Sequence, residues 1–155
     1  KGKPAGGLLP ADAMNVVGYE LPDVRLPQLN GTGDLGLRDL IGKPIVINFW
    51  ASWCVTCKEE AAIMGAAERK WRDNGVVFVG IDTKDLDGDA IAFAKQYGMD
   101  YTSMVDRQGV VAPDWGETGY PETFFVDKNG RNASKWISNI DASTLDERIT
   151  QILGA

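Results

Sequence analysis

The chain's only two cysteines, Cys54 and Cys57, are three positions apart, between the apolar run Pro44 to Trp50 and a helix-forming stretch from Lys58. A dithiol at a strand-to-helix turn is arranged for thiol–disulfide exchange. One sulfur can be exposed at the helix N-terminus, where unpaired N–H groups and the dipole favour a thiolate. The other lies one turn on, close enough to close the ring and expel a bound partner.

Counting removes most other uses of the pair. A structural zinc site wants four ligands, and the sequence holds two Cys and no His. A purely structural disulfide over four residues would add only about 2 kcal/mol, against more than ~4 kcal/mol for a loop of fifty or more. A buried, inert pair and capture of Cu(I) by the two thiolates stay open. The absence of His excludes Ser-His-Asp and Cys-His catalysis and His-ligated haem. Acid–base chemistry must come from carboxylates, Lys, Tyr or the thiols.

The 155 residues suit one domain with its own core, and 44% apolar with 25% charged residues is an ordinary globular composition. A formal charge of −6 argues against nucleic acid. No apolar run approaches the length of a membrane span. The chain opens Lys1-Gly2-Lys3-Pro4 without an initiator Met. It therefore reads as a trimmed product, any signal or membrane-anchor segment having been removed.

Residues 1–18 read as a flexible lead-in and 19–155 as the folded domain. Prolines and glycines from Tyr19 to Leu40 suggest a hairpin-like edge. Ile45–Trp50 and Val76–Ile81 read as strands buried on both faces. Between them the pattern predicts a helix over Lys58–Asp73, with Cys57, Glu60, Met64, Ala67 and Trp71 on one face. A second helix is expected over Asp89–Tyr97, stopped by Gly98. Thr123–Val126 and Ser134–Ile137 should pair across Lys128-Asn129-Gly130, and Ser143–Leu153 should close the chain as a helix. The fold class is α/β around a mixed sheet. Asp85-Leu86-Asp87-Gly88 suggests a calcium loop, but that alignment puts Thr83 first and Ala94 last, where Asp and Glu belong. Asp85, Asp87 and Asp89 read instead as a solvated helix start.

Trp50-Ala51-Ser52-Trp53-Cys54-Val55-Thr56-Cys57 resembles the thioredoxin-fold active site, and Gly119-Tyr120-Pro121-Glu122-Thr123 resembles that fold's cis-proline segment. With Gly80-Ile81-Asp82-Thr83-Lys84-Asp85, the pattern is most similar to the TlpA/ResA/CcmG (DsbE) branch of extracytoplasmic, membrane-tethered thioredoxin-like proteins. The resemblance covers roughly residues 20–150. It implies a thioredoxin-like fold with an N-terminal β extension and a strand–helix insertion. It also implies a monomeric thiol:disulfide oxidoreductase without cofactor, working as a reductant in cytochrome c maturation. Its partners would be a membrane thiol donor and apocytochrome c or its chaperone. Two rival readings are an oxidase or isomerase for secreted proteins and a non-catalytic Cu(I)-handling module. Ala51, where peroxiredoxins place Thr, argues against a peroxidase. Val55 departs from the Pro usual in CcmG relatives.

Asn48 stands where cytoplasmic thioredoxin has a buried Asp, and an amide cannot shuttle protons. Glu60 is the candidate for that role, by the resemblance and by its spacing from Cys57. A carboxylate ~6 Å from a thiolate, at an effective dielectric near 20, costs about 3 kcal/mol, or roughly two pKa units. The helix terminus opposes this by about 0.3–2 kcal/mol. A solvated first-turn Glu complementing the dipole is the alternative, and it fits Glu59 better. Trp53 is expected to shield the nucleophile and offer an apolar platform, or else to pack as a core aromatic. The resemblance makes the Tyr120–Pro121 bond cis and faces both residues to the dithiol, leaving backbone groups of Tyr120 to pair with an extended substrate. Glu122 is expected either to add charge beside the sulfurs or to be exposed.

Overall fold

The computed structural model describes residues 17–111, 115 and 119–154. Residues 1–16, and with them nearly all of the expected lead-in, lie outside the described residues. Its last residue is tied down: Gly18 N–H donates to the Asn132 carbonyl at 2.7 Å.

The elements run in chain order as β1 (Arg25–Pro27), β2 (Asp34–Gly36), a 3-10 turn (Leu37–Leu40), β3 (Ile45–Trp50), α1 (Val55–Trp71), β4 (Val77–Thr83), α2 (Asp87–Tyr97), β5 (Ser103–Asp106), β6 (Glu122–Val126), β7 (Asn132–Ile137) and α3 (Ala142–Leu153). The main sheet has the order β5-β4-β3-β6-β7. β3 runs parallel to β4 and antiparallel to β6, so the sheet is mixed. The hairpin β1–β2 forms a separate antiparallel pair. It docks on the β5 edge, where Leu29 N–H donates to the Ser103 carbonyl at 2.8 Å. This is the α/β fold with an N-terminal β extension that the resemblance implies, and β4, α2 and β5 separate the CxxC helix from β6.

All six residues of β3 are buried, as expected of a central strand covered on both faces. Ile45, Ile47 and Phe49 join Leu21, Phe124, Val126 and Trp115 on one side. Val46 faces α1 and α3 on the other, and Trp50, further along that side, stacks on Phe93 of α2 at 5.4 Å. The dithiol follows directly from the end of this strand.

Several boundaries differ from the sequence expectation. α1 begins at Val55, because Cys54 itself caps it. α2 begins at Asp87 with Leu86 as N-cap. Strand β5 was not anticipated: Ser103-Met104-Val105-Asp106 is too short to show a period, although all four residues are buried against β4. α1 and α2 approach closely at Gly65, where a Cβ would collide with the Gly98 carbonyl, and Gly98 ends α2 at φ 71°. No helix among the described residues is long and apolar enough to cross a membrane.

Candidate active site

Cys54 and Cys57 are disulfide-bonded, with Cα atoms 5.3 Å apart. Cys54 is the N-cap of α1, and its sulfur takes the place a Ser or Asp oxygen usually fills. It accepts from Cys57 N–H at 3.1 Å. No acidic side chain occupies the first turn, so the positive end of the helix dipole is left to the sulfur. Glu59 therefore does not complement the first turn. It lies one turn further on and accepts from Asn139 Nδ2 at 2.6 Å. The expectation of an exposed sulfur is not met in the oxidised ring: Cys54 is 5% exposed and Cys57 2%.

Glu60 lies buried one turn after Cys57, on the face that carries Met64 and Ala67 into the core. Its Oε1 accepts from Asn48 Nδ2 at 2.8 Å and its Oε2 from Ile140 N–H at 3.0 Å. Burial pushes its pKa up to about 7, against the opposing pull of the Ile140 and Asn48 hydrogen bonds. Asn48 also donates to Thr123 Oγ1 at 3.2 Å, so the amide ties β3, α1 and β6 around this carboxyl.

The Tyr120–Pro121 bond is cis, as the resemblance implies. Trp53 is 51% exposed, which excludes a core role. Its ring meets Tyr120 edge-on at 5.4 Å, and its Nε1–H reaches the Lys84 carbonyl at 2.9 Å. Val55 and Leu86 are exposed apolar residues on the helix start and the β4–α2 loop. Glu122 is not exposed. It is 0% exposed and lies 3.4 Å from Lys135 Nζ. Register explains why: Glu122 pairs with Phe49, while its neighbour Thr123 pairs with Asn48. Alternation along β6 sends Glu122 to the sheet face opposite Asn48 and Glu60.

The structure adds residues that sequence reasoning left without a role. Ser52 donates to Asp85 twice, from N–H at 2.7 Å and from Oγ at 2.6 Å. Asp85 is thus a clamp on the loop before the cysteines and not part of a solvated helix start. Asp87 pairs with Arg107 at 2.6 Å, and only Asp89 is left exposed. Asp82, opposite Trp50 in the sheet, is fully buried, and its carboxyl oxygens accept from no donor among the described residues. Burial first, then Asp85 and Asp87, push its pKa up to about 9 despite Arg107. The only prior signal was that Asp82 and Asp85 belong to the hexapeptide that carries the resemblance.

The AhpC/TSA family matches residues 17–132. The chain belongs to this family. Within it, the chain is 38% identical to the thiol:disulfide interchange protein DsbE of Allochromatium vinosum over 137 residues, 87% of this chain and 71% of that protein. It is 28% identical to the thiol-disulfide oxidoreductase ResA of Bacillus thuringiensis subsp. konkukian over 88% of this chain and 76% of that one. A solved DsbE-type thiol:disulfide interchange protein from Chlorobium tepidum superposes with a TM-score of 0.81 at 29% identity, covering 90% of this chain and 99% of that one. With its bonded Cys54–Cys57 pair, this AhpC/TSA member is a thiol:disulfide oxidoreductase of the DsbE/ResA type.

Proposed function

We propose that the protein works outside the cytoplasm as a reductant in cytochrome c maturation. It takes electrons from a membrane thiol donor and passes them to the disulfides of CxxCH segments in apocytochrome c or its chaperone. Cys54 attacks the substrate disulfide, forming a mixed disulfide and releasing the first substrate thiolate. Cys57 then attacks Cys54 Sγ, closes the enzyme ring and expels the second thiolate. Each departing thiolate takes up a proton, and Glu60, with a pKa near neutrality, is the carrier for the one Cys57 gives up. Trp53, Tyr120 and Pro121 form the substrate platform.

The observation that carries the reading is the buried Glu60 carboxyl on the Cys57 side of α1. When ionised it opposes a thiolate nearby, so the reduced state gains little from ionisation and the potential is driven down. The opposite logic, a stabilised thiolate, gives the strong oxidant DsbA its potential of about −120 mV. Equilibration with defined glutathione ratios should give roughly −270 to −180 mV. A value near −120 mV, with rapid oxidation of reduced unfolded protein, would assign the chain to disulfide formation in secreted proteins instead.

A further inference from the structure

The loop between β7 and α3 braces the Glu60 side of the dithiol. Ser138, at φ 73°, turns the chain after β7, and its N–H donates to the Pro121 carbonyl at 3.0 Å. Asn139 Nδ2 donates to Glu59 at 2.6 Å, and the next backbone N–H, that of Ile140, donates to Glu60 Oε2 at 3.0 Å. The peptide group that carries this N–H has its carbonyl on Asn139, and that oxygen accepts from Trp136 Nε1 at 2.6 Å. One planar unit thus has the indole at one end and the carboxyl at the other. Register puts the indole there. Asn48, Thr123 and Trp136 stand side by side across β3, β6 and β7, and Trp136 packs against the core under α1 and α3.

We propose that Trp136 is a positioning residue for the Glu60 carboxyl, acting through the Asn139–Ile140 peptide group. The indole N–H fixes the plane of that group and so aims the Ile140 N–H at Oε2. It also polarises the group, since a donor on the carbonyl strengthens the N–H at the other end. A hydrogen bond from a backbone N–H favours the ionised carboxyl, so the indole works against burial, which holds the proton on Glu60. The other elements packed on Glu60 present few groups that titrate. β3 offers Asn48 and β6 offers Thr123, neither of which does. Cys57 faces it from one turn earlier on α1, and Tyr101, between α2 and β5, keeps its proton because burial pushes its pKa up. Glu68, two turns further along the same face, is paired with Arg72.

This inference deepens the role given to Glu60 and does not depend on the direction of electron flow. The potential tests that direction, and the titration of Glu60 tests the coupling. The experiment is an NMR titration of the oxidised protein, in which neither cysteine titrates. It follows the Glu60 carboxyl, assigned through Glu60→Gln, together with the Ile140 amide and Trp136 indole protons. In the unmodified protein both protons should move with the Glu60 midpoint near pH 7, and both should stand still in Glu60→Gln. Trp136→Phe keeps a ring beside Arg148 and removes the N–H. It should raise the Glu60 midpoint by about half a pH unit to one, part of the worth of a hydrogen bond to a charged group, and shrink the movement of the Ile140 proton. The step in the pH profile of exchange should rise with it in the reduced protein. Arg148→Met takes the cation off the ring but leaves the indole N–H, and should keep the midpoint close to that of the unmodified protein. An indole proton that ignores the Glu60 titration, an unchanged midpoint in Trp136→Phe, or an equal rise in Arg148→Met would each overturn the proposal.

Discussion

The Cys57 N–H points at Cys54 Sγ at 3.1 Å, so one half of the dithiol supplies from its backbone a donor for the sulfur of the other. The two cysteines are unequal through this contact: Cys54 is the cap and receives the donor, while Cys57 is inside the first turn. A thiolate at Cys54 meets a hydrogen bond and the helix dipole together.

Mixed disulfides should therefore form through Cys54. Cys57→Ser should accumulate a covalent adduct with a disulfide substrate, and Cys54→Ser should accumulate none. Peptide mapping of the trapped species checks the assignment. Adducts mainly on Cys57, or equal trapping by both variants, would reverse the roles.

Glu60→Gln should lower the pKa of at least one cysteine thiol and remove a step near pH 7 from the pH profile of exchange. At a matched thiolate fraction the variant should be slower by roughly tenfold to a hundredfold, the low end of general acid–base contributions. Superimposable thiol titrations of the two proteins would show that the carboxyl is uncoupled from the dithiol.

Asp82 sets a pH dependence of stability. Its folded pKa of about 9 lies above the ordinary value of 3.8, so the folded state holds a proton that the unfolded chain has released. Stability must then fall as pH rises through that window. Asp82→Asn mimics the protonated form and should flatten this slope, with a gain on the order of 2–4 kcal/mol at pH 8 to 9. Urea titrations at pH 5, 7 and 9 check it. A gain that does not grow with pH would place the ionisation elsewhere.

Asp85→Ala removes both acceptors from Ser52 and leaves its N–H and Oγ–H without them. A loss of about 1–3 kcal/mol is expected. Exchange should slow as well, because the loop carrying Trp53 and Cys54 is no longer clamped. Asp85→Asn keeps one acceptor and should fall between. Normal exchange in a destabilised Asp85→Ala would confine the clamp to folding.

The parts of the site that sequence made legible are local. The spacing of Cys54, Cys57 and Glu60 is a property of one helix: i+3 positions share a face wherever that helix lies, and Glu60 is buried with Cys57 as the period requires. The hairpin at the N-terminus followed from Pro and Gly punctuation, and the cis bond before Pro121 from the resemblance alone. Asp85 with Ser52 and Thr56 with Tyr120 join residues 33 and 64 positions apart, and no periodicity reports such contacts. Glu122 shows the limit most clearly. A strand's alternation separates two faces but does not say which one meets the helices. Only the pairing of Phe49 with Glu122 and of Asn48 with Thr123 decides it. Residue types and short spacings determined that this chain carries exchange chemistry. Strand register and loop packing decided which carboxyls, hydroxyls and carbonyls stand around the sulfurs, because those distances arise only when separate elements are packed together.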